Sequence, residues 1–167
     1  MRHPLCGTGS APYARTALKQ IGSELRAGLG DQDNDMTDRL QIERLLNELY
    51  GARGRGDLDG LCRIFSNDAK FQIVGASHAS PIAIKAVGIS EIRSWLTLLI
   101  KTFQLKDPTI LSIIIEGAQA AVHWRARIHS RITGASVLTE LVDLIEVQDD
   151  CIRSYIEFFV PRSTTLE

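Results

Sequence analysis

The residue most suggestive of chemistry in this sequence is an aspartate inside an apolar strand pattern. Side chains alternate between the two faces of a strand, and one face of the run 137–147 carries Thr139, Leu141, Asp143, Ile145 and Val147. A carboxylate among such neighbours destabilises a protein unless it is paired or used. The pattern therefore predicts that Asp143 is either an acid–base group or a structural partner for Tyr50 or the backbone. We expect burial to raise its pKa.

Two further residues have a functional and a structural interpretation. Tyr50 ends a helical apolar stripe, so its ring can pack in the core while its hydroxyl donates a hydrogen bond at the edge of a site. His78 falls in a predicted loop that would cover a pocket, where it can contact a ligand or face solvent.

The strand 120–131 separates its side chains into two kinds. Trp124 lies on the apolar face, which predicts a core residue or a pocket wall, whereas the opposite face carries His123, Arg125, Arg127 and His129. No carboxylate accompanies the two histidines at ligand spacing, so the outer face indicates a dimer or solvent surface rather than a metal site. We expect neither a metal nor a cofactor.

The elements that position these residues follow from apolar spacing. A first helix begins at Asp35 or Thr37 and stops at Gly54 and Gly56, and Asp57 caps a second helix. Phe71 and Ile73 share one face of the first strand, a loop holding His78 and Pro81 follows, and a third helix runs from about Ser90 to Phe103. From Thr109 to Val160 the pattern predicts a shorter strand and three long ones. The order predicts an α+β cone, with three helices against a strongly curved mixed or antiparallel sheet that encloses a pocket.

Composition favours one domain and excludes several classes of function. The 167 residues are 44% apolar and 23% charged, with a net charge of -1. Nucleic acid is a poor partner for a chain without a basic surplus, and no run of about 18 apolar residues suggests a membrane span. Cys6, Cys62 and Cys151 are scattered and form no CxxC pair, which indicates reduced thiols and a cytoplasmic protein.

The chain also divides into a body and its extensions. Residues 1–35 are rich in Gly, Ala and Ser and are predicted to form a flexible or peripheral extension. The predicted domain covers residues 36–162, and a short tail covers residues 163–167.

The turn from Gly56 to Gly60 and the closing strands Val142–Val147 and Ile152–Pro161 carry a resemblance. With the order of elements, they resemble the nuclear transport factor 2-like superfamily over about Thr37 to Pro161. That superfamily includes ketosteroid isomerase, limonene epoxide hydrolase, scytalone dehydratase and the small SnoaL-like polyketide cyclases. The fold hosts enzymes, ligand binders and assembly modules alike.

The resemblance implies particular site residues. Asp143 falls on the aspartate that ketosteroid isomerase keeps protonated as an oxyanion donor, a case that is itself a standard example of pKa tuning. The isomerase's proton-shuttling aspartate falls at Gln72 or Ile73, where no carboxylate stands, and its helix tyrosine falls at Leu49, next to Tyr50. The last-strand aspartate of the epoxide hydrolase falls near Glu157, but the rest of its Asp-Arg-Asp relay has no counterpart.

We therefore expect a cofactor-independent lyase, isomerase or cyclase that acts on a small, largely apolar molecule. Asp143 would be the proton donor or oxyanion stabiliser, Glu157 its acid–base partner and Tyr50 a hydrogen-bond donor. The ligand-binding residues would be Trp124, Phe71, Ile73, His78 and Leu141. The alternative is a non-catalytic ligand-binding or dimeric assembly module. The resemblance also favours a homodimer through the outer face of the sheet.

Overall fold

A computed structural model describes residues 39–77 and 80–160, which form three helices and six strands. The predictions for His78 and for residues 1–35 and 163–167 lie outside the described residues. Along the chain the elements are α1 (39–55), α2 (Leu58–Ile64), β1 (Phe65–Ser77), β2 (Ser80–Val87), α3 (Ile89–Thr102), β3 (Phe103–Glu116), β4 (Gln119–Ser130), β5 (Ser136–Gln148) and β6 (Cys151–Val160).

The ends of α1 and α2 follow the turn chemistry of the sequence. Helix α1 stops before Gly56, which adopts a φ of 66°, a left-handed conformation that glycine tolerates best. Asp57 then caps α2, because its carboxylate accepts a hydrogen bond of 2.8 Å from the backbone N–H of Gly60. Both predicted helix boundaries are confirmed.

The six strands form one open, mixed sheet in the order β2-β1-β6-β5-β4-β3. Strands β1 and β6 are parallel, and the other neighbouring pairs are antiparallel. The inner face and the helices bury a common core that includes Leu46, Leu49, Ile92, Val122 and Trp124. The predicted α+β cone with a curved sheet is confirmed.

The strand boundaries differ from the sequence prediction in two places. The predicted loop around Pro81 contains strand β2, in which Pro81 is the second residue. Because β2 is an edge strand, the missing backbone N–H of proline removes no hydrogen bond from the centre of the sheet. Strand β3 begins at Phe103 rather than Thr109. Its register shifts between Lys106 and Thr109, where Asp107 has a φ of 53°, and this irregularity interrupts the alternation on which the prediction relied.

No helix among the described residues is long and apolar enough to cross a membrane.

Candidate functional site

A cavity of about 520 Å³ opens between the helices and the inner face of the sheet. This volume lies within the range of small-molecule sites. Its walls are mainly apolar and come from α2, α3 and all six strands: Leu61, Ile73, Ile84, Leu96, Leu99, Ile100, Leu105, Ile128, Val137, Leu141 and Phe159. Its charged lining residues are Arg53, Arg55, Arg131 and Glu157.

Behind the cavity wall, Asp143 accepts hydrogen bonds from two tyrosines. The Tyr50 hydroxyl donates to Oδ2 of Asp143 at 2.5 Å, and the Tyr155 hydroxyl lies 2.8 Å from the same oxygen. The other carboxylate oxygen, Oδ1, is buried and has no hydrogen-bond partner among the described residues. The indole N–H of Trp124 is buried without a partner in the same part of the chain. Asp143 is therefore a buried and incompletely satisfied carboxyl group.

Tyr155 connects Asp143 to a second carboxyl group. Its hydroxyl also lies 3.0 Å from Oε2 of Glu157, which is buried and lines the cavity. Asp143 and Glu157 are direct neighbours across β5 and β6, so they face the same side of the sheet. A tyrosine hydroxyl has a single proton. It can therefore be donated to one carboxyl group at a time, and Tyr155 links the two groups as a switchable donor.

Arg53 supplies the positive charge of this cluster. It follows Tyr50 by three residues on α1, so both side chains point to one face of the helix. Its guanidinium contacts the Glu157 carboxylate and the Tyr155 hydroxyl, and Nη1 lies 3.9 Å from Oδ2 of Asp143. It also stacks 4.8 Å from the centre of the Trp124 ring. The Arg53 guanidinium thus interacts with both carboxyl groups, and it lies closer to Glu157 than to Asp143.

The two carboxyl groups differ in their surroundings. Burial raises the pKa of Asp143 to about 7, and the charge of Glu157 adds to this increase. Arg53 and the hydrogen bond from Tyr50 act in the opposite direction and are outweighed. Trp124 also lowers the pKa of Asp143, although its N–H makes no hydrogen bond of normal geometry. Asp143 thus exchanges a proton near neutral pH.

The two tyrosines and Arg53 keep their protons. Burial raises the pKa of Tyr50 far above its usual value, and the Asp143 charge adds to the shift. Burial also raises the pKa of Tyr155. For Arg53 burial opposes the charge, but Glu157, Tyr155 and Asp143 outweigh it and hold its pKa well above the usual value. Both tyrosines therefore remain hydrogen-bond donors and Arg53 remains a cation.

The structure brings some predicted site residues to the cavity and places others behind it. Ile73, Leu141 and Glu157 line the cavity. Asp143, Tyr50, Trp124 and Phe71 are buried outside its lining, where Trp124 packs on Tyr50 at 5.2 Å and Phe71 stacks on Tyr155 at 5.4 Å between ring centres.

Sequence reasoning missed Arg53 and Tyr155. Tyr155 is two residues from Glu157 on one strand, so alternation places both on the same face and gave a usable signal. Arg53 lies one helical turn beyond Tyr50, but it also belongs to an Arg- and Gly-rich run that indicated only the end of a helix.

On the outer face, one prediction about the histidines needs correction. Glu140 on β5, whose register partner on β4 is Arg125, lies 3.3 Å from Nε2 of His123, so a carboxylate does accompany this histidine. His129 instead lies 2.9 Å from the hydroxyl of Ser136. No group of three His, Cys, Asp or Glu side chains within residues 39–77 and 80–160 is arranged to hold a metal ion.

Comparison with known proteins identifies the family. The model of the SnoaL-like domain matches residues 46–155, which is well over half of the chain. The chain belongs to the SnoaL-like family. No curated protein sequence matches it. The family assignment confirms the resemblance to the nuclear transport factor 2-like superfamily.

Solved structures show the same fold at low sequence identity. An LEH-like epoxide hydrolase of M. tuberculosis is 17% identical with a TM-score of 0.59, covering 72% of this chain and 83% of its own. An NTF2-like protein of Burkholderia xenovorans LB400 is 18% identical with a TM-score of 0.60, covering 72% and 89%. A protein of ketosteroid isomerase-like fold from Catenulispora acidiphila, solved with trimethylamine, is 14% identical with a TM-score of 0.58, covering 70% and 85%.

Proposed function

We propose that this SnoaL-like protein is a cofactor-independent acid–base enzyme of the lyase, isomerase or cyclase type. Its substrate is a small, largely apolar molecule held in the cavity. The proposal rests on one chain of contacts. It runs from Glu157, on the cavity wall, through the Tyr155 hydroxyl to the buried carboxyl group of Asp143. Two carboxyl groups with different environments are the usual basis for dividing proton acceptance from proton donation.

In this proposal Glu157 is the group that meets the substrate. It takes a proton from a carbon next to a carbonyl group, and the electron pair of the broken C–H bond forms an enolate. The proton moves from Glu157 to the Tyr155 oxygen while Tyr155 passes its own proton to Asp143. Return of a proton by the reverse route to another carbon completes an isomerisation. Asp143 acts through Tyr155, and Tyr50 and Arg53 position it and balance its charge.

The alternative is a non-catalytic module that binds a small molecule in the same cavity. The ion pair between Arg53 and Glu157 favours this alternative, since a carboxylate held by a cation can be a purely structural group. The two functions differ in whether Glu157 moves protons. A measurement of proton transfer to and from a model ketone therefore separates them.

The experiment is hydrogen–deuterium exchange of 2-tetralone, a flat apolar ketone with acidic protons, followed by NMR in D2O. We expect the wild-type protein to accelerate the exchange and Glu157→Gln to reduce that acceleration by about 10²- to 10⁴-fold. Glu48→Gln is the matched control, because Glu48 is exposed on α1 and lies outside the cavity lining. Wild-type protein that gives no acceleration, or Glu157→Gln that matches it, would contradict the catalytic proposal and favour the binding module.

We also propose that two copies pair through the outer face of the sheet. Leu138, Val142, Leu144 and Phe158 are large apolar residues with 39–44% of their surface exposed. Val142 pairs with Phe158 across β5 and β6, so these two side chains are neighbours on the outer face. Glu116 and Glu146 flank Gln119 at one end of this face, and Arg125 and Arg127 lie towards the other end of β4. An antiparallel two-fold arrangement would place opposite charges together.

Sedimentation at micromolar concentration tests this pairing. We expect a dimer for the wild-type protein and a monomer for Leu144→Glu, because the new charge would be buried in the contact. Ile132→Glu is the matched control, since Ile132 is 78% exposed in the turn between β4 and β5. A dimer that persists in Leu144→Glu would refute the outer-face arrangement.

A further inference from the structure

The charges that line the cavity are unbalanced. Arg53, Arg55 and Arg131 line it together with a single carboxylate, Glu157, within the part of the chain that the structure describes. The chain as a whole has a net charge of -1, so the excess of positive charge is a local property of the cavity. A cleft with apolar walls and charges of one sign concentrates ligands of the opposite charge.

The three arginines differ in their availability to a ligand. Arg53 is engaged by Glu157 and its side chain is only 16% exposed. The side chain of Arg55 is 68% exposed, and its one described ion pair is a loose contact of 3.9 Å with Asp57, whose other oxygen caps α2. Arg131 is exposed and forms no ion pair with any described residue. Arg55 and Arg131 are therefore the available cations.

Both available arginines lie beside the end of α3. The backbone N–H of Arg131 donates a hydrogen bond of 2.8 Å to the carbonyl oxygen of Thr102, the last residue of this helix. Gly56, which follows Arg55, lies so close to Ile100 that an added methyl group would be 3.3 Å from its Cγ2 atom. Since both side chains are exposed and both line the cavity, they mark its mouth.

We propose that the cavity selects an organic anion: a molecule whose apolar body fills the interior and whose carboxylate group is held at the mouth by Arg55 and Arg131. The apolar walls supply affinity through burial, and the arginines supply orientation through charge-assisted hydrogen bonds. This inference rests on the proposed function, because it names the substrate class of the same cavity. It places the anionic group at the mouth and leaves the apolar body next to Glu157.

The test compares two ligands of the same shape by isothermal titration calorimetry. We expect 2-naphthoate to bind more tightly than 2-naphthamide, its uncharged counterpart, and the difference to shrink as salt is added. Arg131→Gln and Arg55→Gln should each weaken 2-naphthoate binding by about 5-fold and leave 2-naphthamide binding unchanged. Arg131→Lys should retain part of the preference, because it keeps the charge but loses the planar fork.

Arg44→Gln is the matched control, since it removes the same charge from an exposed residue of α1 outside the cavity lining. Equal affinity for the two ligands, no binding of either, or a preference that survives in the double variant Arg55→Gln/Arg131→Gln would overturn the proposal. Its failure is distinct from failure of the catalytic proposal. Loss of the 2-tetralone exchange with a retained preference for 2-naphthoate would refute catalysis alone, and the reverse result would refute the anionic ligand alone.

Discussion

Replacement of Asp143 by asparagine should change how the stability of the protein depends on pH. The pKa of Asp143 is about 7 in the folded protein, against about 3.9 for an unperturbed aspartate. The folded state therefore holds a proton that the unfolded state has released. Stability from this group is fully present below about pH 4 and is lost as the pH rises through 7.

The size of the expected change in unfolding free energy follows from the pH interval that an experiment can cover, pH 5 to pH 8. From pH 5 to the folded-state pKa near 7, each pH unit is worth about 1.4 kcal/mol, so the contribution of Asp143 falls by about 3 kcal/mol between pH 5 and pH 8. Asparagine has no proton to lose in this range. The wild-type protein should thus lose about 3 kcal/mol more than Asp143→Asn over the same interval.

Urea denaturation at pH 5, 6, 7 and 8, followed by tryptophan fluorescence, measures both free energies of unfolding. The difference between the two proteins isolates the Asp143 cluster, because titrating groups that do not interact with Asp143 contribute equally to both. Glu48→Gln, an exposed substitution on α1, should keep the wild-type dependence. If Asp143→Asn loses stability between pH 5 and pH 8 as steeply as the wild-type protein, Asp143 does not bind a proton in the folded state over this pH interval.

Other variants test the remaining contacts by the same unfolding measurement at pH 7. Arg53→Met should cost about 3–5 kcal/mol by leaving Glu157 buried and unpaired, and the double variant with Glu157→Gln should recover much of this loss; an unrecovered loss would contradict the ion-pair explanation. Tyr155→Phe should cost about 1–3 kcal/mol because Asp143 and Glu157 lose a shared donor, and an unchanged stability would refute that role. Gly56→Ala should cost about 1 kcal/mol at its positive φ, whereas a stabilised variant would show that the backbone relaxes.

The fold could be predicted because its signals are local. Helical spacing in α1, a capping aspartate before α2 and alternation in β4 and β5 each depend on neighbouring residues, and the structure has all of them. Asp143 stood out for the same reason, since a single charge breaks an apolar face. The edge strand β2 and the start of β3 were missed because Pro81 and the bulge near Asp107 resemble the ends of strands.

The site could be predicted only in part. Alternation along a strand shows which face of the sheet a residue lies on, but it does not show which residues of that face reach the cavity. Asp143 and Glu157 face the same side and are direct neighbours, yet Glu157 lines the cavity and Asp143 does not. The difference arises from α1, whose Tyr50 packs over Asp143 and whose Arg53 reaches Glu157 across a separation of 104 residues in the chain. That placement depends on how the helix crosses the sheet, which no local pattern specifies.

The position of a single arginine explains why the two carboxyl groups have separate properties. If Arg53 lay midway between the two carboxyl groups, its positive charge would stabilise the ionised form of each equally, and burial would disfavour the ionised form of each. Instead Arg53 contacts Glu157 directly and lies 3.9 Å from Asp143, so Glu157 receives most of the compensating charge. Asp143 is left with two tyrosine donors, a carboxylate oxygen without a described partner, and complete burial. The group whose pKa burial raises to about 7 thus lies behind the cavity wall, and the group that lines the cavity is the one that Arg53 contacts. Tyr155 is the one described side chain that forms a hydrogen bond with both carboxyl groups. Any proton that a ligand exchanges with Asp143 through these contacts must therefore pass through its hydroxyl group.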